Sequence, residues 1–212
     1  MDLINFQIPT PANVVLAGST GSGKTHLTLE IIRRRSELFA ENLDKVVYIY
    51  PEFQATFHQL QATDPNVRFT QDLKELETLY GPCLLVVDDQ QDVLGRGENN
   101  DLIKRMFIKN SHHRLITCLL ILQNPFVRGL RDVNLNTQVH IQFDSPRDRS
   151  VIQSISRQVC PGRTKLLVDA YNAAVSTRVY SYLVIDLHPK NKAYKYWLRS
   201  HLFPCEDCEV FA

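Results

Sequence analysis

No apolar run in the 212-residue sequence approaches the roughly 20 residues needed to cross a bilayer. The opening residues 1–12 include Asp2, Pro9 and Pro11 and have neither the basic start nor the apolar block of a secretory signal. A soluble, intracellular protein with no membrane partner is therefore expected. An excess of charge of either sign is also missing: 24 Lys and Arg against 23 Asp and Glu leave a formal net charge of +1. That balance argues against a chain that coats nucleic acid as a monomer, while leaving room for a local basic patch or a ring of subunits.

Cysteine is scarce and odd in number, and five thiols without an export signal do not make a disulfide framework. Cys83 and Cys118 fall in or beside apolar runs and read as small packed hydrophobes. Cys205 and Cys208, with His201 four residues before the first, have the spacing of half a zinc site. A tetrahedral structural site needs four ligands, and a fourth is not evident unless His188 or Cys160 approaches in space. The segment 205–212 thus reads as a solvated tail with two reduced thiols. No internal repeat and no low-complexity segment interrupts residues 1–204, and 44% hydrophobic content is enough for one globular domain.

The most specific feature is Gly18-Ser19-Thr20-Gly21-Ser22-Gly23-Lys24-Thr25, a complete G-x-x-x-x-G-K-[ST] loop between an apolar strand-like run at 14–17 and a helical pattern. The glycines let backbone N–H groups converge on phosphate oxygens, and the helix N-terminus adds partial positive charge. Lys24 is placed to reach the β- and γ-phosphates, and the Thr25 hydroxyl to serve Mg²⁺. ATP with Mg²⁺ is the expected ligand pair.

Strand-like runs at 14–17, 46–50, 84–87, 116–122 and 139–143 alternate with helical patterns at 24–39, 73–80, 101–111, 147–159 and 164–176. A final strand pair is read at 180–187 and 194–198, and the glycine-containing segment 95–100 as a loop. Continuous apolar strands separated by helices predict an α/β fold, a largely parallel central sheet with helices on both faces.

Two further landmarks lie at strand ends. The run Leu84-Leu85-Val86-Val87 delivers Asp88 and Asp89 to the sheet edge, where Asp88 takes the position of the acid behind the Mg²⁺ shell. Asp89 would activate the attacking water; in the additional-strand class of P-loop ATPases this position is commonly Glu, one methylene longer. The strand 116–122 ends in Gln123-Asn124, and Gln123 reads as a sensor able to touch both the γ-phosphate and that water.

Together with the loop and the acid pair, the blocks Ser111-His112-His113-Arg114, Gln123-Asn124-Pro125-Phe126, Asn134-Leu135-Asn136, Pro146-Arg147-Asp148 and Arg157-Gln158 resemble the genome-packaging ATPases of the FtsK–HerA superfamily. The likeness is greatest to those of Polinton or Maverick elements and related double-stranded DNA viruses, and spans 14–204. It implies a RecA-like P-loop ATPase of the additional-strand class that drives double-stranded DNA into a preformed capsid. The partners would be DNA, a capsid or portal protein and further copies of the chain in a ring, acting in the host nucleus or at a virus assembly site if viral.

A ring ATPase implies a guanidinium supplied across the subunit boundary. Arg114, just before the sensor strand, is the candidate, with Arg147 and Arg149 as rivals. For DNA, Arg128 and Arg131 flank Gly129 in a basic loop after the sensor strand, where phosphates could be gripped without reading sequence. Arg33-Arg34-Arg35 reads as surface charge, which disfavours a small-molecule kinase lid. A GTPase is disfavoured because the one Asn-Lys pair, Asn191-Lys192, is followed by Ala-Tyr rather than the guanine-reading x-Asp. The competing readings are a helicase or replication-initiation motor, and an assembly scaffold that binds ATP but scarcely hydrolyses it.

Overall fold

The computed structural model describes residues 6–88, 98–126, 129–190 and 196–211, with 98–100 as backbone only. Eight strands form one sheet in the order β3-β2-β4-β5-β1-β6-β7-β8. They are β1 (Asn13–Ala17), β2 (Lys45–Ile49), β3 (Val67–Thr70), β4 (Cys83–Asp88), β5 (Ile116–Leu122), β6 (Val139–Phe143), β7 (Tyr182–Asp186) and β8 (Leu198–Arg199). The pairings from β3 through β6 are parallel, and β7 and β8 close the sheet antiparallel. β5 is inserted between β1 and β4, with Leu16 opposite Ile121 and Asp88 opposite the same Ile121. The strand that ends in the phosphate loop and the strand that ends in the acid therefore flank the strand that ends in Gln123.

The period of two in the apolar strands divides the core into two faces. Val14, Leu16, Tyr48, Leu84, Val86, Leu119 and Ile121 pack under α1 (Lys24–Arg33), α2 (Arg35–Leu38) and α3 (Ala55–Thr63). Val15, Ala17, Leu85, Val87, Cys118 and Leu120 pack under α4 (Glu75–Thr78), α5 (Glu98–Arg105), the π-helical turn Met106–Asn110 and α7 (Arg131–Leu135). The short α6 (Ser111–His113) leads into β5. α8 (Ser150–Val159) and α9 (Thr164–Ser176) pack on Leu183, Ile185 and Leu198 of β7 and β8. Both thiols read as packed hydrophobes, Cys83 and Cys118, are buried.

Several elements differ from the sequence reading. The first helix breaks at Arg34 instead of running to Phe39, and Arg35 Nη1 takes the Ile32 carbonyl at 2.7 Å while pairing with Asp64. Neither Arg34, which lies over Phe203 and pairs with Glu30 and Glu37, nor Arg35 is loose surface charge. α3 and β3 escape the pattern because α3 buries only Phe57 and Leu60, and the edge strand β3 fully buries only Val67. The helix read at 73–80 shrinks to one turn at α4, and the one read at 147–159 starts at Ser150. α5 begins at Glu98, within the segment read as a loop. The residues read as a solvated tail fold back: Glu209 O accepts from Ser200 N at 2.9 Å, Phe211 N donates to Leu198 O at 3.0 Å, and Phe211 packs beside α8 and α9.

Candidate functional site

The phosphate loop leaves β1 at the C-terminal edge of the parallel sheet, and close packing fixes its path. A Cβ on Gly18 would stand 2.6 Å from Phe143 Cβ, so the first loop position admits no side chain. Ser19 Oγ donates to the Asp144 carbonyl at 3.1 Å and ties the loop to the end of β6. That end is itself held by Tyr171, whose hydroxyl accepts from Ser145 N at 3.0 Å. Gly23, at φ 99°, is the N-cap of α1 and directs the helix N-terminus into the loop. Lys24 Nζ donates to the carbonyls of Gly18 and Ser19 at 2.7 and 2.9 Å, which holds the ammonium over the loop.

A cavity of about 600 Å³ opens there, a size suited to a small ligand. Thr20, Gly21, Gly23, Lys24 and Thr25 line it together with Asp88 and Gln123. Three motifs far apart in the chain, at 18–25, 88 and 123, thus converge on one concavity. Asp88 ends β4 only 6% exposed, and Tyr48 Oη donates to its Oδ2 at 2.7 Å. Burial first, and then the neighbouring Asp88 carboxylate, push the Tyr48 phenol well above its ordinary range, so it stays a donor at any working pH. Thr25 and Asp88 both line the cavity and offer oxygen, hard donors of the kind that suits Mg²⁺. Ser22 Oγ, buried inside the loop, has no hydrogen-bond partner among the described residues.

Tyr48, Glu52 and Tyr180 border or support this cavity and were not singled out in the sequence. Tyr48 carried the one available signal, a phenol inside an apolar strand, since a buried hydroxyl needs a partner. Asp89 and Arg128 lie outside the described residues. Arg131 is exposed at the first residue of α7, beside the fully buried Leu130. The Gln-Asn-Pro-Phe block is pinned at the end of β5: Phe126 N donates to Asn124 Oδ1 at 2.7 Å, and Asn124 Nδ2 to Asp148 Oδ2 at 3.0 Å. Asn134 Nδ2 reaches the Pro125 carbonyl, so three of the sequence blocks form one hydrogen-bonded brace beneath the sensor strand.

Arg114 lies before the N-terminus of β5, at the sheet edge opposite the phosphate loop and roughly 20 Å away along a seven-residue strand. Its Nη1 donates to the carbonyls of Leu76, Glu77 and Leu79 at 3.0, 2.9 and 3.4 Å, and its guanidinium stacks over Tyr80. These contacts give Arg114 a role within its own protomer, closing the end of α4. Arg147 and Arg149 follow β6 on the nucleotide edge and are both exposed, Arg149 pairing with Asp144 at 3.3 Å. His201 hydrogen-bonds Arg178 and Ser200, and among the described residues no cluster of three His, Cys, Asp or Glu is arranged to hold a metal.

No protein-family model matches the sequence, and no curated protein matches it. Solved structures do. The DNA-packaging ATPase B204 from Sulfolobus turreted icosahedral virus superposes with a TM-score of 0.60 at 13% identity, over 97% of this chain and 98% of that one. The genome packaging NTPase B204 from Sulfolobus turreted icosahedral virus 2 gives 0.58 at 13% identity with ATPγS bound, covering 95% and 97%, and 0.58 at 13% with AMP, covering 99% and 98%. At such identity the likeness is one of fold, and with the strand order above it establishes the RecA-like α/β fold of P-loop ATPases, in its additional-strand form.

Proposed function

We propose that this chain is an ATP-driven motor that moves double-stranded DNA into a viral or virus-like capsid, working as a homo-oligomeric ring against a capsid or portal protein. The observation that carries the reading is the convergence of the phosphate loop, Asp88 and Gln123 on one cavity at the switch point of the sheet. The likeness to B204 over nearly its whole length supports the packaging role, as do the sequence blocks shared with FtsK–HerA packaging ATPases of the Polinton kind.

In this reading Gly18 to Thr25 cradle the triphosphate, Lys24 neutralises its terminal oxygens, and Thr25 and Asp88 hold Mg²⁺. The bound metal would offset charge between the β- and γ-phosphates. Asp89 takes the proton of the attacking water, which Gln123 orients. A guanidinium from the neighbouring subunit completes the site, with Arg147 and Arg149 favoured over Arg114 by their position on the nucleotide edge. Arg128 and Arg131 contact DNA phosphates.

ATP turnover measured with double-stranded DNA, single-stranded DNA and no DNA tests the proposal. Stimulation by the duplex is expected. Stimulation by the single strand alone would replace it with a helicase-type motor, and negligible turnover in all three with a nucleotide-binding scaffold.

A further inference from the structure

The turn between α9 and β7 holds no residue of the phosphate or metal chemistry, yet it is built against the phosphate loop. Tyr180 has φ 68°, a left-handed conformation that a bulky residue adopts only when its surroundings impose it. Ser181 imposes it here: its Oγ accepts from Arg178 N at 3.0 Å, donates to Arg178 O at 2.7 Å and lies 3.1 Å from Thr177 Oγ1. The turn thereby presents two apolar side chains to the outside, Val179 at 80% and Tyr180 at 64% exposure. The tyrosine lies directly on the N-terminus of α1, where a Cβ on Gly23 would come within 3.0 Å of Tyr180 Cβ and 3.2 Å of its Cγ. Tyr180 is also a wall of the main cavity and of two smaller ones, about 200 and 240 Å³, that border the loop.

Topology decides which end of a nucleotide reaches it. Asp88 and Gln123 end β4 and β5 on one side of β1, whereas Tyr180 precedes β7, beyond β6, on the other. A γ-phosphate must lie beside the acid and the amide, so the triphosphate crosses the loop away from β5 and the nucleoside leaves toward β6 and β7. We infer that Tyr180 is the stacking platform for the nucleobase of the bound nucleoside triphosphate, with Val179 extending its apolar surface. A preformed, strained aromatic at that exit offers a π-face to any base without ordering a side chain on binding.

The inference rests on the reading of the loop as a nucleotide site, and the test separates the two. Dissociation constants for Mg·ATP, Mg·ADP and inorganic tripolyphosphate are measured for wild type, Tyr180→Ala and Tyr180→Phe. Loss of a base–aromatic stack is worth about tenfold or more in affinity, so Tyr180→Ala should weaken ATP and ADP by that factor and leave tripolyphosphate unchanged. Tyr180→Phe should match wild type. If Tyr180→Ala fails to fold, Tyr180→Leu, which keeps the apolar contact with Gly23 but has no π-face, carries the same comparison. Unaltered ATP affinity, or equal weakening of ATP and tripolyphosphate, overturns the stacking role. A wild-type chain that binds neither ligand overturns the nucleotide site itself.

Discussion

Tyr48 and Asp88 are joined by a buried hydrogen bond of 2.7 Å between neighbouring strands, the phenol donating to the carboxylate that faces the phosphate loop. Tyr48 is opposite Val86 on β4, two residues short of Asp88 and on the same face, so register alone aims its hydroxyl. Its ring is fixed in turn by Phe57 and Phe69, at centroid distances of 4.9 and 5.3 Å. Outer partners of this kind set the orientation of a metal's ligands.

Tyr48→Phe should therefore keep the ring packing and the fold while releasing Asp88. We expect ATP hydrolysis to fall about tenfold with a higher Mg²⁺ concentration at half-maximal rate, in line with the 10- to 100-fold effects typical of such partners. A Mg²⁺ titration identical to wild type would show that Asp88 needs no such support.

Lys24→Ala removes the ammonium held over the loop by the Gly18 and Ser19 carbonyls. ATP binding or turnover should be lost with the melting temperature nearly unchanged, because this side chain lines the cavity and lies outside the core. Undiminished turnover would remove the loop from the chemistry.

Asp89→Asn separates binding from catalysis. It should bind Mg·ATP as wild type does and hydrolyse it on the order of 10²-fold more slowly or worse, the usual contribution of a general base. Normal turnover in this variant would send the search for a base to Glu52, which among the described residues lines the cavity together with Asp88.

Subunit mixing distinguishes the arginines. Arg114→Ala opens three carbonyl contacts at the end of α4, so it should lower stability by about 1–2 kcal/mol and dilute activity linearly when mixed with wild type. Arg147→Ala or Arg149→Ala should instead poison mixed rings out of proportion, since an arginine finger is worth roughly 10³-fold or more in rate. Disproportionate poisoning by Arg114→Ala would return the finger to that residue.

His140, buried on β6, has its pKa pushed down to about 4 by desolvation. Its folded pKa lies below the unfolded value near 6.5, so the unfolded chain binds the extra proton. Stability from this residue is full above about pH 6.5 and is lost as pH falls toward 4, by at most about 3 kcal/mol. Thermal melts of wild type and His140→Gln across that window should converge in slope at higher pH and diverge below it. Parallel curves would exclude His140 as the source.

The phosphate loop, the acid run and the five inner strands were legible because each is continuous in sequence and carries its own chemistry: a glycine-spaced turn, an apolar run of strand length, a carboxylate at its end. The blocks Gln-Asn-Pro-Phe, Asn-Leu-Asn and Pro-Arg-Asp were legible as a pattern but not as a mechanism. Only folding shows that Asn124 meets Asp148 and Asn134 meets Pro125, joining the three blocks in one brace. β3 and α3 stayed hidden because an edge strand and a two-contact helix bury too little to leave a periodic signal.

Sequence by itself determined the phosphate-loop motif and the parallel α/β sheet, since a glycine-spaced loop and buried strands are each specified over a handful of adjacent residues. Tertiary structure alone decided which distant side chains serve that site. A hydroxyl at position 48 becomes the support of a carboxylate at 88, and a tyrosine at 180 becomes the wall of a loop at 23, through strand order and register. Arg114 is adjacent to β5 in sequence but lies at the end opposite its own phosphate loop, because a strand carries its two termini to opposite edges of the sheet.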